Sequence, residues 1–272
     1  MIRPARTKTP IPVRFYRAGC VVLHLFAGFF EVALFFPFYG KSRRSRAVGR
    51  WSARLLAILN VKPGVRGAPP AITNRAAVLV ANHVSWLDIQ LIHCVWQVRF
   101  VAKSEVRRWP LIGWLSARTG TLFIERGKNR QAARINQSIH AAFQQGDAIG
   151  VFPEGTTTDG REITRFHASL LQPAVDERAM VYPVALRYLD ESGNINVNAS
   201  YVGDTTLVES MRMIFGEKVI RAELIFLPAI DATGKTRREL AAQTQDAIAS
   251  TLNLPVSDTT PGKSAGPQGA PR

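Results

Sequence analysis

From about Val78 onward, short runs rich in β-branched and aromatic residues alternate with helical stretches, and this alternation constrains the fold more than any other feature. Residues 78–82 (VLVAN), 98–102 (VRFVA), 121–125 (TLFIE), 148–152 (AIGVF), 180–186 (MVYPVAL), 194–202 (NINVNASYV) and 218–228 (KVIRAELIFLP) read as strands. Between them, 128–145 places Ala132, Ile135, Ile139 and Phe143 at helical spacing and stops at Gly146. Residues 86–94, 168–177 and 236–251 also suit helices. The pattern predicts an α/β fold with a mostly parallel or mixed sheet flanked by helices. Ligands of such sheets meet the loops at the carboxyl ends of strands. Three polar clusters sit at such ends: Asn82 onward, Glu125-Arg126, and Pro153-Glu154-Gly155.

The 272 residues suffice for one large domain with an appendage. Residues 18–39 form an apolar stretch just long enough to cross a bilayer of ~30 Å as a helix. His24 and Glu31 sit in its middle, where a charge costs roughly 3 kcal/mol on insertion scales, and basic residues flank both ends. The expectation is therefore a shallow, re-entrant or interfacial anchor on the cytoplasmic face of the inner membrane. Residues 1–54 carry eleven Lys and Arg against the single acid Glu31, most of the net charge of +15. Such a block suits an anionic membrane surface or nucleic acid. An apolar run of lipid length lies between these charges, with no platform of stacking aromatics, which favours the membrane. A signal peptide is disfavoured, because no small-residue cleavage site precedes GKSRRSR. Cys20 and Cys94 have no paired spacing, so neither a disulfide framework nor a cysteine metal site is expected. The chain divides into a basic anchor (1–60), an α/β domain (61–255) and a Pro- and Gly-rich tail (256–272) expected to be disordered.

His83 follows a hydrophobic strand and precedes Ser85-Trp86-Leu87-Asp88, a possible helix start. On a continuous helix, residues five apart point about 140° apart, so a His83–Asp88 pair requires the chain to bend. With His83 in the loop and Asp88 in the first helical turn, the carboxylate can hold one imidazole nitrogen and leave the other as a general base. Ser85-x-x-Asp88 also matches a capping box, in which Asp88 satisfies only backbone. Arg126 is a cation at a strand end, suited to hold a phosphate oxygen pair bidentately, and Lys103 is a further substrate-binding candidate. In Phe152-Pro153-Glu154-Gly155-Thr156-Thr157, Glu154 can orient a hydroxyl or a cation, and Gly155 with the following N–H groups can bind phosphate or a developing oxyanion.

Asn82-His83-x4-Asp88, Phe123-Ile124-Glu125-Arg126, Phe152-Pro153-Glu154-Gly155-Thr156-Thr157 and Val181-Tyr182-Pro183-Val184, in that order, resemble the four blocks of the glycerolipid acyltransferase family, which includes the 1-acylglycerol-3-phosphate acyltransferases. The resemblance covers roughly residues 70–190. It implies a glycerol-3-phosphate acyltransferase-like fold and an O-acyltransferase moving a fatty acyl group from an acyl-CoA or acyl-carrier-protein thioester to a lysophospholipid hydroxyl. 1-acyl-sn-glycerol-3-phosphate is the first acceptor it suggests. It further implies His83 as general base, Asp88 as its orienting partner, Arg126, Glu154, Gly155, Thr156 and Thr157 as acceptor-binding residues, Pro183 on the donor side, and neither metal nor prosthetic group. Two departures bear on the acceptor. Thr157 and His167 stand where family members acting on lysophosphatidate often carry basic residues, which points to another lysolipid, lyso-ornithine lipid among them. Arg161, Arg165 and Lys103 are the cations left to compensate.

Three rivals belong to other classes. A serine hydrolase would use Ser85 or Ser169, but the chain has no G-x-S-x-G elbow. A metal site from His83, Asp88 and His93 lacks a ligand spacing. A non-enzymatic membrane-binding module would leave the polar clusters at the strand ends without a purpose.

Overall fold

The computed structural model describes residues 8–70, 75–124 and 129–257. Helices α1 (Ile11–Phe30) and α2 (Lys41–Ile58) precede strands β1 (Val61–Arg66) and β2 (Ala77–Ala81). Then come α3 (Leu87–Val95), β3 (Val98–Lys103), α4 (Ile112–Arg118), β4 (Leu122–Ile124), α5 (Asn129–Gln144) and β5 (Ala148–Val151). The chain continues through β6 (Ile163–Thr164), α6 (Gln172–Asp176), β7 (Met180–Leu189), α7 (Leu207–Gly216), β8 (Ile220–Phe226), β9 (Ile230–Asp231), α8 (Arg237–Leu252) and β10 (Val256–Ser257).

The main sheet has the order β1-β8-β7-β2-β5-β3-β4, with β9 added on β7. Strands β7, β2, β5, β3 and β4 are parallel neighbours, whereas β8 runs antiparallel to β7 and carries β1 parallel to itself. The sheet is thus mixed, with helices on both faces. Period-two alternation sends Leu79 and Ala81 of β2 into one core with Leu55 of α2, Leu91 of α3 and Ile214 of α7. Val78 and Val80 enter a second core with Phe143 of α5 and Leu240 and Ile248 of α8. A strand covered on both faces reads as an unbroken apolar run, and VLVA is one. The parallel arrangement sets the carboxyl ends of β2, β5, β3 and β4 side by side, so the segments starting at Asn82, Phe152 and Ser104 share one edge.

Three expectations need correction. Residues 194–202 are no strand: Ile195 makes a single bridge to Leu189, and Val197–Ala199 form one 3₁₀ turn capped by the Asn196 side chain. The boundary at 60 divides units that pack together, since Leu55, Leu56 and Leu59 share a core with β2 and β8. The tail starts later than 256, because Val256 and Ser257 pair with Ile163 and Thr164. The expected helical face at Ala132 and Ile135 lies among side chains outside those described.

Helix α1 continues through a π turn at Glu31–Phe35 and a 3₁₀ turn at Phe36–Phe38, after which Gly40 starts the returning α2. The segment Ile11–Phe38 is long and apolar enough to cross a membrane. Yet both of its ends are tied to the body of the domain. The Thr9 N–H donates to the carbonyl of Gly216 at 3.0 Å and Arg17 to that of Glu217 at 2.8 Å, while Lys41 pairs with Asp147 at 2.7 Å. Gly28 lets the helices approach: a Cβ there would lie 2.4 Å from Nε1 of Trp51. Trp51 stacks on His24 at 4.7 Å between ring centres, and Arg50 lies 3.9 Å from Glu31. The two polar groups that disturb the apolar run are thus turned toward α2.

Candidate active site

The chain leaves β2 at Ala81 and bends before α3, and Asn82 pins the bend. Its side-chain amide donates to the carbonyl of Leu186 and accepts from the Leu186 N–H, at 2.9 and 2.8 Å. The bend brings His83 Nδ1 to 2.7 Å from Asp88 Oδ2. That same oxygen accepts the backbone N–H groups of Val84 at 2.8 Å and Ser85 at 2.9 Å. The capping and pairing readings of Asp88 therefore both hold. Because the carboxylate is fully buried, it accepts a hydrogen bond from Nδ1–H, and this holds the tautomer in which Nε2, with no partner among the described residues, is the acceptor.

Aromatic packing and the turn after β5 fix the imidazole. Phe152 stacks on the His83 ring at 4.0 Å and 10°, and Phe100 stacks behind Phe152 at 5.3 Å. Gly150 makes room for Phe100, since a Cβ would meet that ring at 2.7 Å. Glu154 accepts the His83 N–H at 2.7 Å with Oε1, and the Thr164 N–H and hydroxyl at 2.9 and 2.8 Å with Oε2. Thr158 donates its N–H to the His83 carbonyl at 2.9 Å. The His83 backbone is thus gripped from both sides by one turn. Glu154, 3% exposed, spends both oxygens on the chain itself. Burial pushes its carboxyl up to about 7, against the pull of the Thr164 and His83 hydrogen bonds and the nearby imidazole.

His83 opens into a cavity of about 1370 Å³. One wall comes from α1 and α2 through Leu25, Val32 and Trp51, and another from Val101, Ile112 and Leu115. Gly155, Thr156 and Thr157 line it near His83. Gly155 adopts φ 69°, a left-handed conformation that favours glycine, and its N–H closes the turn on the Phe152 carbonyl at 3.0 Å. The N–H groups of Thr156 and Thr157 have no partner among the described residues, and the Thr157 hydroxyl donates to the carbonyl of Tyr201. Lys103 ends β3, but its side chain, like the whole of Arg126, lies outside the described residues. Pro183 is held in β7 opposite Val80. Arg161 pairs with Asp159, and neither it nor Arg165 lines the cavity, whereas Arg237 and His167 do. Ser85 is buried, with its hydroxyl unbonded and outside the cavity wall. His93 bonds the carbonyl of Val98 at 3.2 Å.

Sequence reasoning missed Phe100, Gly150, Thr164 and Tyr188. Tyr188 donates its hydroxyl to Asp88 Oδ1 at 2.5 Å from a strand one hundred residues downstream. Only the apolar character of β3, β5 and β7 could have signalled the first, second and last; the pairing itself is long-range.

Residues 62–187 match the family model described as Acyltransferase. The chain is 38% identical over 206 residues to a lyso-ornithine lipid O-acyltransferase of Pseudomonas aeruginosa, covering 75% of this chain and 78% of that protein. It is 37% identical over 190 residues to a 1-acyl-sn-glycerol-3-phosphate acyltransferase of Neisseria meningitidis, covering 70% and 73%. The fold resembles the crystal structure of the 1-acyl-sn-glycerophosphate acyltransferase PlsC from Thermotoga maritima, with a TM-score of 0.69 at 20% identity over 89% of this chain and 94% of that one. Fold, site and relatives define the class as an acyltransferase. Within that class the chain belongs to the glycerolipid acyltransferase family.

Proposed function

We propose that the protein transfers a fatty acyl group from an acyl-CoA or acyl-carrier-protein thioester to the free hydroxyl of a lysophospholipid, with 1-acyl-sn-glycerol-3-phosphate as the first acceptor to consider and phosphatidate as its product. The observation that carries this reading is the His83–Asp88 pair, with Nδ1 engaged at 2.7 Å and Nε2 unpartnered, on the wall of a lipid-sized cavity. Nε2 removes the hydroxyl proton as the oxygen attacks the thioester carbonyl. The N–H groups of Thr156 and Thr157 receive the tetrahedral oxyanion. Collapse breaks the C–S bond, and the departing thiolate takes the proton back from His83. A thioester is already activated, so base, oxyanion donors and placement of two substrates suffice, with neither covalent intermediate nor metal. A positioned base contributes typically ~10²- to 10⁴-fold, and His83→Ala should lose activity by that order in thin-layer assays of labelled product.

A second acceptor is favoured by a specific observation. Thr157 and His167 stand where the resemblance leads one to expect cations, while the cavity lining carries both an acid, Asp204, and a base, Arg237, charges of both signs that suit a zwitterionic headgroup such as that of lyso-ornithine lipid. A panel of lysolipids offered with acyl-CoA and with acyl-carrier protein separates the two. Turnover confined to lysophosphatidate defeats the second reading, and turnover confined to the amide-linked lysolipid defeats the first.

We further place the enzyme on the cytoplasmic face of the inner membrane. Both ends of the apolar segment bond to the same body, and the cations of α2 would rest on anionic headgroups.

A further inference from the structure

We infer that Tyr188 is a positioning residue for the His83–Asp88 pair, holding the carboxylate oxygen that His83 does not use and so fixing the carboxylate toward Nδ1. The inference rests on His83 being the base. Oδ2 of Asp88 already serves three N–H groups, from His83, Val84 and Ser85. Oδ1 has one donor among the described residues, the Tyr188 hydroxyl at 2.5 Å. Asp88 is fully buried and Tyr188 is 2% exposed, so no solvent can replace that donor.

The hydroxyl has no packing role of its own. Tyr188 lies in β7 opposite Ala222, in the apolar core that also holds Leu186, Leu224 and Leu87, a setting that phenylalanine would fill equally well. A buried hydroxyl needs a partner, and a buried carboxylate oxygen needs one more. Burial, then the Asp88 charge, raises the Tyr188 hydroxyl well above its ordinary value, so it remains a donor at any working pH. Its hydrogen bond draws negative charge toward Oδ1 and restrains rotation about the Cβ–Cγ bond of Asp88. Without it, charge concentrates on Oδ2, the imidazolium form of His83 is stabilised, and the base titrates at higher pH. The loop itself keeps its Val84, Ser85 and Asn82 bonds and does not depend on the phenol.

Tyr188→Phe in the full-length, membrane-embedded enzyme tests this. The expected result is a roughly tenfold fall in kcat, the scale of one hydrogen bond to a charged group. Acceptor KM should stay within about twofold and the acidic limb of the pH profile should move to higher pH. In an Asp88→Asn background the same substitution should cost less than about twofold, since the two residues act as one unit. An unchanged kcat and pH limb in Tyr188→Phe, or an equal loss in the Asp88→Asn background, overturns the inference. Should Tyr188→Phe melt early, 3-fluorotyrosine at 188 keeps the shape with a stronger donor. The acidic limb should then move to lower pH, and no movement overturns the inference. Full activity in His83→Ala would defeat the base reading itself, whereas an inactive His83→Ala beside an unaffected Tyr188→Phe defeats the Tyr188 role alone.

Discussion

Glu154 sits in the block most readily compared with relatives, yet its oxygens face inward, to His83 and Thr164. The expected hold on a substrate hydroxyl is therefore replaced by a hold on the base's own backbone. This makes a pH prediction with a definite sign. The native carboxyl titrates near 7 against an ordinary value of 4.5, so between these values the folded state binds more protons than the unfolded one. The group's stabilising contribution is full below pH 4.5 and is lost as pH rises through 7, by roughly 3 kcal/mol in total. As pH rises from 5 to 8, the melting temperature of wild type should thus fall relative to that of Glu154→Gln. A wild type that gains on the amide as pH rises would reverse the assignment. The amide should also lower kcat, because its NH2 group would oppose one of the three donors. At this scale the sequence shows residue types at strand ends but not which way they point. His83, Asp88 and Glu154 are visible as candidates from order and spacing. Phe100, Gly150 and Tyr188 are not, because their contacts cross three strands.

The elements most easily misread are those whose composition hides their period. Helix α2 reads KSRRSRAVGRWSARLLAI, and its arginines and serines suggest a mere basic flank, yet Ala47, Leu55 and Leu56 are buried and Trp51 half-buried at helical spacing. Strand β1 contains Pro63 and Gly64, poor strand residues that an edge position tolerates, and it pairs with β8 alone. Conversely, 194–202 alternates like a strand, but Asn196 bonds the Asn198 N–H and turns the chain. The α1–α2 hairpin yields a prediction of its own. A Cβ at position 28 would press on the Trp51 ring at 2.4 Å, so Gly28→Val should cost about 1–3 kcal/mol by overpacking. Because the hairpin forms a cavity wall, acyl transfer should fall as well. Restoring space with Trp51→Leu should recover part of the melting temperature, whereas strictly additive losses would show that the contact does not govern the hairpin.

For the whole molecule, the α/β layering and the shared strand edge were legible from the alternation of runs, since a doubly covered strand must be apolar throughout. The attachment of the apolar segment to the domain was legible only in part. Glu31, His24 and the basic flanks argued against a simple span, while the tethers to Gly216, Glu217 and Asp147 required the fold. The segment leaves a stripe of large apolar side chains in the open, Phe15 (74% exposed), Leu23 (70%), Phe26, Phe30, Leu34 and Phe38 (85%), beside exposed arginines of α2. Such a patch on a soluble body calls for a covering phase. Arg43, Arg46 and Arg54 form no ion pair among the described residues and recur at helical spacing, Arg43 lying over the Tyr39 ring at 4.1 Å, so no acid among those residues neutralises their charge before headgroups do. Each cation near an anionic surface contributes about 1 kcal/mol, so replacing the three by Gln should weaken binding to vesicles containing phosphatidylglycerol by up to ~100-fold. Raising salt should mimic the effect, as screening confines it to about 8 Å. Binding to neutral vesicles should fall instead when Phe15, Leu23 and Phe26 become Ser. Cysteines placed at Tyr16 and Ser42 should react with an impermeant reagent from the same side of sealed vesicles. Labelling from opposite sides would show that the helix leaves its tethers and crosses the bilayer, and the interfacial reading of the segment would then have to be abandoned.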